Sequence, residues 1–164
     1  LDKTGAGMDY IKQETEKLAS YCQGREVVTV EDVEKGGATQ TTSHIFDMIS
    51  AIANKKQQQA LDLYYDLLEL KEPPMRILYL IVRQFNGILQ VKDLMSRGVS
   101  GKEIASRIGA APFVAGKYQA QAKYFEMSTL LDALNECART EEAVKQGRLN
   151  DRLGVELIII KYSK

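Results

Sequence analysis

The sequence predicts an all-α protein built as a helical bundle, and three observations carry that prediction. The first is the stretch Met75–Gly98, where Ile77, Leu78, Ile81, Val82, Phe85, Ile88, Leu89, Val91, Leu94 and Met95 recur in steps of mostly three and four. Its first half has a second apolar face from Tyr79 and Leu80, so it reads as a helix apolar nearly all round and therefore buried. Some 22 residues at ~1.5 Å each span about 33 Å, the width of a small domain, which makes this the central helix. The charges at Arg76, Arg83, Lys92, Asp93 and Arg97 argue against a membrane span, which needs ~20 largely uncharged apolar residues. The second observation is that the same helical rhythm returns in the flanking segments, each bounded by cap, Gly or Pro signals. The third is that only Val27–Val30 and Ile158–Ile160 resemble strands, and neither has a partner strand.

Taken in order, Met8, Ile11, Thr15, Leu18, Ala19 and Cys22 form one face of a first helix that Gly24 ends. Thr29-Val30-Glu31-Asp32 then opens a very short helix, stopped by Gly36-Gly37. Residues 38–42, ATQTT, carry no pattern and are expected to be a linker and a domain boundary. Ser43 is expected to cap the next helix, whose inner face is Ile45, Phe46, Ile49, Ile52 and Ala53; His44 then falls in a solvated first turn. Asn54-Lys55-Lys56 is a turn. It leads into Gln57–Leu70, an antiparallel partner with Ala60, Leu61, Tyr64, Leu67 and Leu68 inward. Pro74 suits the first turn of the central helix, where its missing N–H costs nothing.

Beyond it, Ser100-Gly101-Lys102-Glu103 reads as a capping box for a helix with Ile104, Ala105 and Ile108 inward and Gly109 at its end. Pro112-Phe113 opens a helix carrying Val114, Lys117, Tyr118, Gln121, Ala122 and Phe125. Ser128 is expected to cap the following one, with Leu130, Leu131, Leu134, Cys137 and Ala138 inward. Residues 140–144 read as a separate short helix or turn. Asp151–Tyr162 closes the chain with Leu153, Leu157, Ile158 and Ile160 inward.

Composition narrows the function. The 164 residues contain 22 basic and 22 acidic side chains, so no global field draws in nucleic acid or anionic lipid. The chain starts at Leu1 inside an amphipathic pattern, as expected of a piece excised from a longer protein. Cys22 and Cys137 are far apart on apolar helix faces and read as buried, reduced thiols. One histidine and two dispersed cysteines offer no evident nucleophile–base pair and build no structural zinc site without carboxylate help. Phosphate-loop and dinucleotide glycine motifs are absent. Asp62, Asp66, Glu141 and Glu142 fall on faces expected to be solvated. No catalytic, cofactor or metal residue is assigned. Residues 100–124, SGKEIASRIGAAPFVAGKYQAQAKY, have the outline of a helix-turn-helix, and a DNA-binding regulator is the alternative reading. Its second helix offers Lys117 and Lys123 but no arginine, a weak set for phosphate neutralisation.

The order of several short patterns resembles the delta subunit of the bacterial DNA polymerase III clamp loader. Glu14-Thr15-Glu16-Lys17-Leu18 resembles its E-x-E-K-L, and Ile45–Ile52 its F-D-L-x-x-A-I. Ile81–Phe85 is similar to its L-x-R-Q-F, and Leu89–Leu94 to its L-x-V-K-x-L. Ile104-Ala105 with Pro112-Phe113-Val114 and Lys117 resembles its E-I-A…P-F-V-x-K, and Lys145-Gln146-Gly147 with Glu156 its K-x-G…L-E. The resemblance implies that residues 1–42 end an AAA+-like helical lid domain and that residues 43–164 form the collar domain, which joins subunits in a ring. It implies partners in the delta prime and gamma/tau subunits, contact with the sliding clamp only through an N-terminal domain outside this chain, and primer-template DNA engaged only indirectly. It further implies a cytoplasmic, replisome-associated, non-membrane role without catalysis or cofactor, within a polymerase holoenzyme. Among the tyrosines at positions 64, 65, 79, 118 and 124, most are expected in the core. Tyr65, adjacent to Tyr64, is expected to point away from the apolar stripe and is the candidate partner-interface residue.

Overall fold

A first long helix, α1 (Val30–Ala53), turns at residues 54–56 into α2 (Gln57–Glu69). The structure, a computed structural model, describes residues 30–164, with side chains from residue 41 onward. After α2 come α3 (Pro74–Ser96), α4 (Gly101–Arg107), α5 (Pro112–Ala122), α6 (Met127–Lys145) and α7 (Asp151–Tyr162), with no strand among the described residues. The expected helix at Met8–Cys22 and the buried thiol at Cys22 lie outside them.

The middle of the bundle is α3, which packs against α1, α4, α5, α6 and α7. Its buried residues are Ile77, Leu78, Ile81, Gln84, Phe85, Ile88 and Val91, one face at steps of three and four. Phe85 is fully buried, with Phe125 edge-on at 5.8 Å and Tyr162 at 6.5 Å between ring centroids. The expectation that α3 is apolar all round fails at its outer face. Tyr79 is 64% exposed, Met95 is exposed, and Leu80, Val82, Leu89 and Leu94 are only partly buried. The neighbours of α3 cover one broad side of it and leave Arg83, Asn86 and Gln90 to solvent.

Helix ends follow backbone chemistry closely. Pro74 and Pro112 occupy first-turn positions, as expected. Gly98, Gly109 and Gly147 end their helices with φ of 75°, 63° and 70°, the left-handed conformation that glycine adopts without a Cβ clash. Lys55 and Lys71 take the same conformation at the ends of α1 and α2, with φ of 59° and 60°. In each of these five turns the next residue's N–H returns to a carbonyl five positions back, as from Lys56 to Ala51 at 2.9 Å.

Boundary expectations are corrected at several helix ends. Gly36-Gly37 does not stop a helix, residues 38–42 are not a linker, and Ser43 is not a cap, because α1 runs unbroken from Val30 to Ala53. Helix ends need more than glycine: two internal glycines weaken a helix by ~1 kcal/mol each but leave its hydrogen-bond ladder intact. His44 is accordingly half-buried in mid-helix rather than in a first turn. Residues 140–144 continue α6, where Thr140 is buried, and Glu126 rather than Ser128 precedes its first turn. Ser100 does sit at the start of α4 with extended backbone, but its hydroxyl makes no cap bond, and Glu103 pairs with Arg107 at 2.6 Å instead. A side-chain cap does form at Asn150, whose Oδ1 accepts from the Leu153 N–H at 3.1 Å.

Polar pins tie distant elements together where α1 enters the bundle and inside it. Thr41 is buried and donates to Glu72 Oε1 at 2.8 Å, while Glu72 Oε2 lies 3.3 Å from the Arg76 guanidinium. Gln84 and Gln121 are buried side by side. Gln84 donates to Gln121 Oε1 at 3.0 Å, and Gln121 donates to the Phe46 carbonyl at 3.0 Å and to Ser50 Oγ at 2.8 Å. Buried amides so paired cost little and fix how α1, α3 and α5 meet.

Candidate protein-interaction surfaces

Cys137 is buried and burial pushes its thiol up to about 12, the inert end of thiol behaviour. Among the described residues no group of three His, Cys, Asp or Glu is placed to hold a metal. Asp62, Asp66, Glu141 and Glu142 are exposed, as expected. No described helix is long and apolar enough to cross a membrane.

The five tyrosines named from the sequence divide in a way periodicity did not give. Tyr64 and Tyr118 are buried, whereas Tyr79 and Tyr124 are mostly exposed. The Tyr64 hydroxyl donates to the Arg152 carbonyl at 2.9 Å, and burial holds its phenol well above the ordinary range. Tyr65 points out of the stripe, as expected, but its ring is half-buried and its hydroxyl donates to Glu156 Oε1 at 2.8 Å. That hydrogen bond raises the Tyr65 phenol, and the Arg152 guanidinium lies 5.7 Å from the ring. Tyr65, Leu68, Glu69 and Arg152 line a shallow depression between α2 and α7.

The helix-turn-helix reading is not supported. The two helices are there as α4 and α5, but the polar side chains of α5 are engaged by the protein itself. Gln121 is in the core, Gln119 donates to the Gly101 carbonyl at 3.4 Å, and Lys117 lies over the Phe46 and Phe113 rings at 4.5 and 4.7 Å. A reading helix would need those groups free to reach base edges.

What the bundle does present is two kinds of surface. One is apolar. Helix α7 was expected to bury Leu153 and Leu157, yet they are 46% and 49% exposed, and α7 buries Gly154, Val155, Ile158, Ile159 and Tyr162 instead. The rotation is set at Gly154, where a Cβ would lie 2.8 Å from Thr140 Cγ2, so α7 presses its glycine onto α6. It is held by Tyr162, which donates to Asp132 at 2.6 Å, and by Lys161, 2.9 Å from Glu136. Burial and that bond push the Tyr162 phenol up to about 12, and the same bond holds the Asp132 carboxyl below its usual range. Leu153 and Leu157, with half-buried Ile160, therefore form an outward ridge at i, i+4 and i+7. Leu131 and Ala138 on α6, also expected inward, are exposed as well. The signal for this was the glycine itself, since Gly inside a helical pattern marks close backbone approach. The other surface is a polar groove of about 490 Å³ beside the outer face of α3, bounded by the α4–α5 turn.

Comparison with known proteins places this arrangement. Residues 42–162 match the family model of the DNA polymerase III delta subunit, C-terminal domain. The chain is 33% identical over 154 residues to DNA polymerase III subunit delta of Bacillus subtilis (strain 168), covering 94% of this chain and 44% of that protein. Its structure resembles that of the Bacillus subtilis DNA clamp loader delta protein with a TM-score of 0.75 and 32% identity, over 95% of this chain and 46% of that one. The chain thus spans a little under half the length of these relatives, both of which are named as a subunit or protein of an assembly rather than as an enzyme. This helical bundle, matched along nearly all of its described length, belongs to the C-terminal domain family of the DNA polymerase III delta subunit.

Proposed function

We propose that residues 43–164 act as the collar of a bacterial clamp loader, the helical domain through which one subunit is held in a ring with its neighbours. Residues 1–42 are then the end of an AAA+-like lid domain, and α1 carries the chain from one unit into the other as a continuous helix. The partners are the delta prime and gamma/tau subunits. Contact with the sliding clamp and with primer-template DNA belongs to other parts of the assembly, and the setting is the cytoplasm. The observation that carries this reading is the outward ridge of Leu153 and Leu157 on a helix otherwise cemented to the core. A half-exposed leucine pair gains about 1 kcal/mol or more per side chain when covered, at ~25 cal/mol per Å². Stable interfaces need ~800 Å² per partner, so the ridge would be the centre of a larger contact. The candidate Tyr65 lies on the adjoining α2–α7 seam and would belong to its rim.

The test is co-elution on size exclusion with the other clamp-loader subunits from the same source, at modest salt. A stable complex is expected, and the double substitution L153E/L157E is expected to abolish it while circular dichroism stays helical. Separate elution of both this chain and the full-length subunit would sink the proposal.

A further inference from the structure

The polar groove beside α3 has a wall of a particular kind. Tyr79, Arg83, Asn86 and Gln90 follow one another at steps of four, three and four, so they form a straight stripe along the helix. All four are exposed. Among the described residues, the Arg83, Asn86 and Gln90 side chains make no hydrogen bond or ion pair, and the Arg83 charge is felt only by the neighbouring Tyr118 phenol. Arg148 and Arg152 likewise have no carboxylate within 4.0 Å among the described residues, whereas the remaining arginines do. Arg76, Arg97, Arg107 and Arg139 each lie within 4.0 Å of a carboxylate three or four positions away. Arg83 has Tyr79, Leu80, Asn86 and Gly87 at those positions, so its own helix offers no acid. The groove has no Asp or Glu anywhere in its lining.

The shape comes from a glycine. A Cβ on Gly87 would lie 2.5 Å from the Tyr118 ring, so the missing side chain lets that ring pack against α3 and line the groove. The opposite wall is the turn Gly109-Ala110-Ala111, whose small side chains keep the groove open. Its volume of about 490 Å³ falls within the ~300–1,000 Å³ of sites that hold a ligand.

We propose that this groove docks a carboxylate-bearing peptide segment of another protein, laid along the Tyr79–Gln90 stripe. Arg83 takes the carboxylate with its planar fork, and the Asn86 and Gln90 amides bond the segment's backbone. Tyr79 and Tyr118 give apolar surface to its side chains. The choice of a peptide over nucleic acid follows from charge: the groove holds one cation, and nucleic-acid affinity comes from neutralising several phosphates. The inference stands apart from the collar reading, since its residues lie on α3–α5 and the apolar ridge lies on α7.

The experiment is a titration of the isotope-labelled full chain, followed by backbone amide NMR, with a blocked pentapeptide of alternating aspartate and leucine. Its asparagine counterpart and a ten-residue oligothymidylate serve as rivals. The expected result is saturable shifts at residues 79–90 and 108–111 at low-millimolar peptide, at least about fivefold weaker for the asparagine peptide. R83Q is expected to weaken the acidic peptide by about the same factor, with an unchanged thermal melt. Gln90→Ala, also exposed, is expected to weaken both peptides alike. Shifts elsewhere, no shifts, an equal response to the asparagine peptide, or oligothymidylate moving these amides when the peptide does not, would each overturn the proposal. Success or failure of co-elution with clamp-loader subunits leaves this outcome unaffected.

Discussion

The seam that α7 forms with α2 and α6 and the groove beside α3 are both rich in tyrosines and charged or amide side chains, yet they are finished differently. At the seam the groups are spoken for within the chain. Tyr64 bonds the Arg152 carbonyl, Tyr65 bonds Glu156, Tyr162 bonds Asp132, and Lys161 meets Glu136. At the groove, Arg83, Asn86 and Gln90 face solvent. Side-chain type therefore does not separate a structural joint from a binding surface. Pairing does, because a satisfied polar group fixes the fold, whereas an unsatisfied one on the surface waits on water or a partner.

The largest effect should come from the core that both regions share. Phe85→Ala is expected to cost about 3–5 kcal/mol in chemical denaturation, since it removes the ring that meets Phe125 and Tyr162. A loss below about 1 kcal/mol would mean that the seam and the groove are not braced through α3.

Next comes the glycine that shapes each region. Gly154→Leu is expected to drive α7 off Thr140 at a cost of about 2–3 kcal/mol, with accompanying loss of subunit binding as the Leu153–Leu157 ridge rotates. Gly87→Ala should cost about 1–2 kcal/mol, because the Tyr118 ring that lines the groove must move. If Gly154→Leu left the melting temperature unchanged, close helix approach would not be what orients α7.

Tyr162→Phe tests the paired region by pH. Its phenol is raised from the ordinary value near 10 to about 12, so the folded state favours the protonated form. Its stabilisation is therefore fully present below pH 10 and is lost as pH rises from 10 to 12. The substitution is expected to lower stability by about 1 kcal/mol at neutral pH and to make the alkaline fall in melting temperature shallower. An unchanged alkaline profile would assign that fall to Tyr64 or Tyr118, whose phenols burial also raises.

The smallest effect sharpens the comparison most. Removing the Asn86 and Gln90 side-chain amides together is expected to change stability by no more than about 0.5 kcal/mol, the range of surface substitutions that break no contact. Tyr65→Phe, losing one part-buried bond to Glu156, should cost somewhat more, up to about 1 kcal/mol. Equal costs in urea titrations would erase the distinction between the two regions.

Much of this architecture was legible in the sequence by itself. The three-four rhythm of Ile77–Val91 identified α3 and its place in the middle, because so wide an apolar face needs several neighbours to cover it, though its outer face stays open. Gly109 and Gly147, Pro74 and Pro112, and the turn at Asn54-Lys55-Lys56 marked helix ends through backbone sterics, which act locally. The ordered short patterns sufficed for the family. Only the tertiary structure decided which face of α7 is inside. Its run Val155–Ile160 is apolar on too many sides for periodicity to choose, and the choice fell to the contact of Gly154 with Thr140, residues fourteen apart. It likewise decided that α1 passes through Gly36-Gly37, that Gln84 and Gln121 are core residues because they pair with each other, and that Tyr65 is tied to Glu156 while Arg83 has no carboxylate partner among the described residues. Local sequence sets where a helix can start, stop and hide a face; only the neighbours it meets determine which polar groups are used up and which are left to bind.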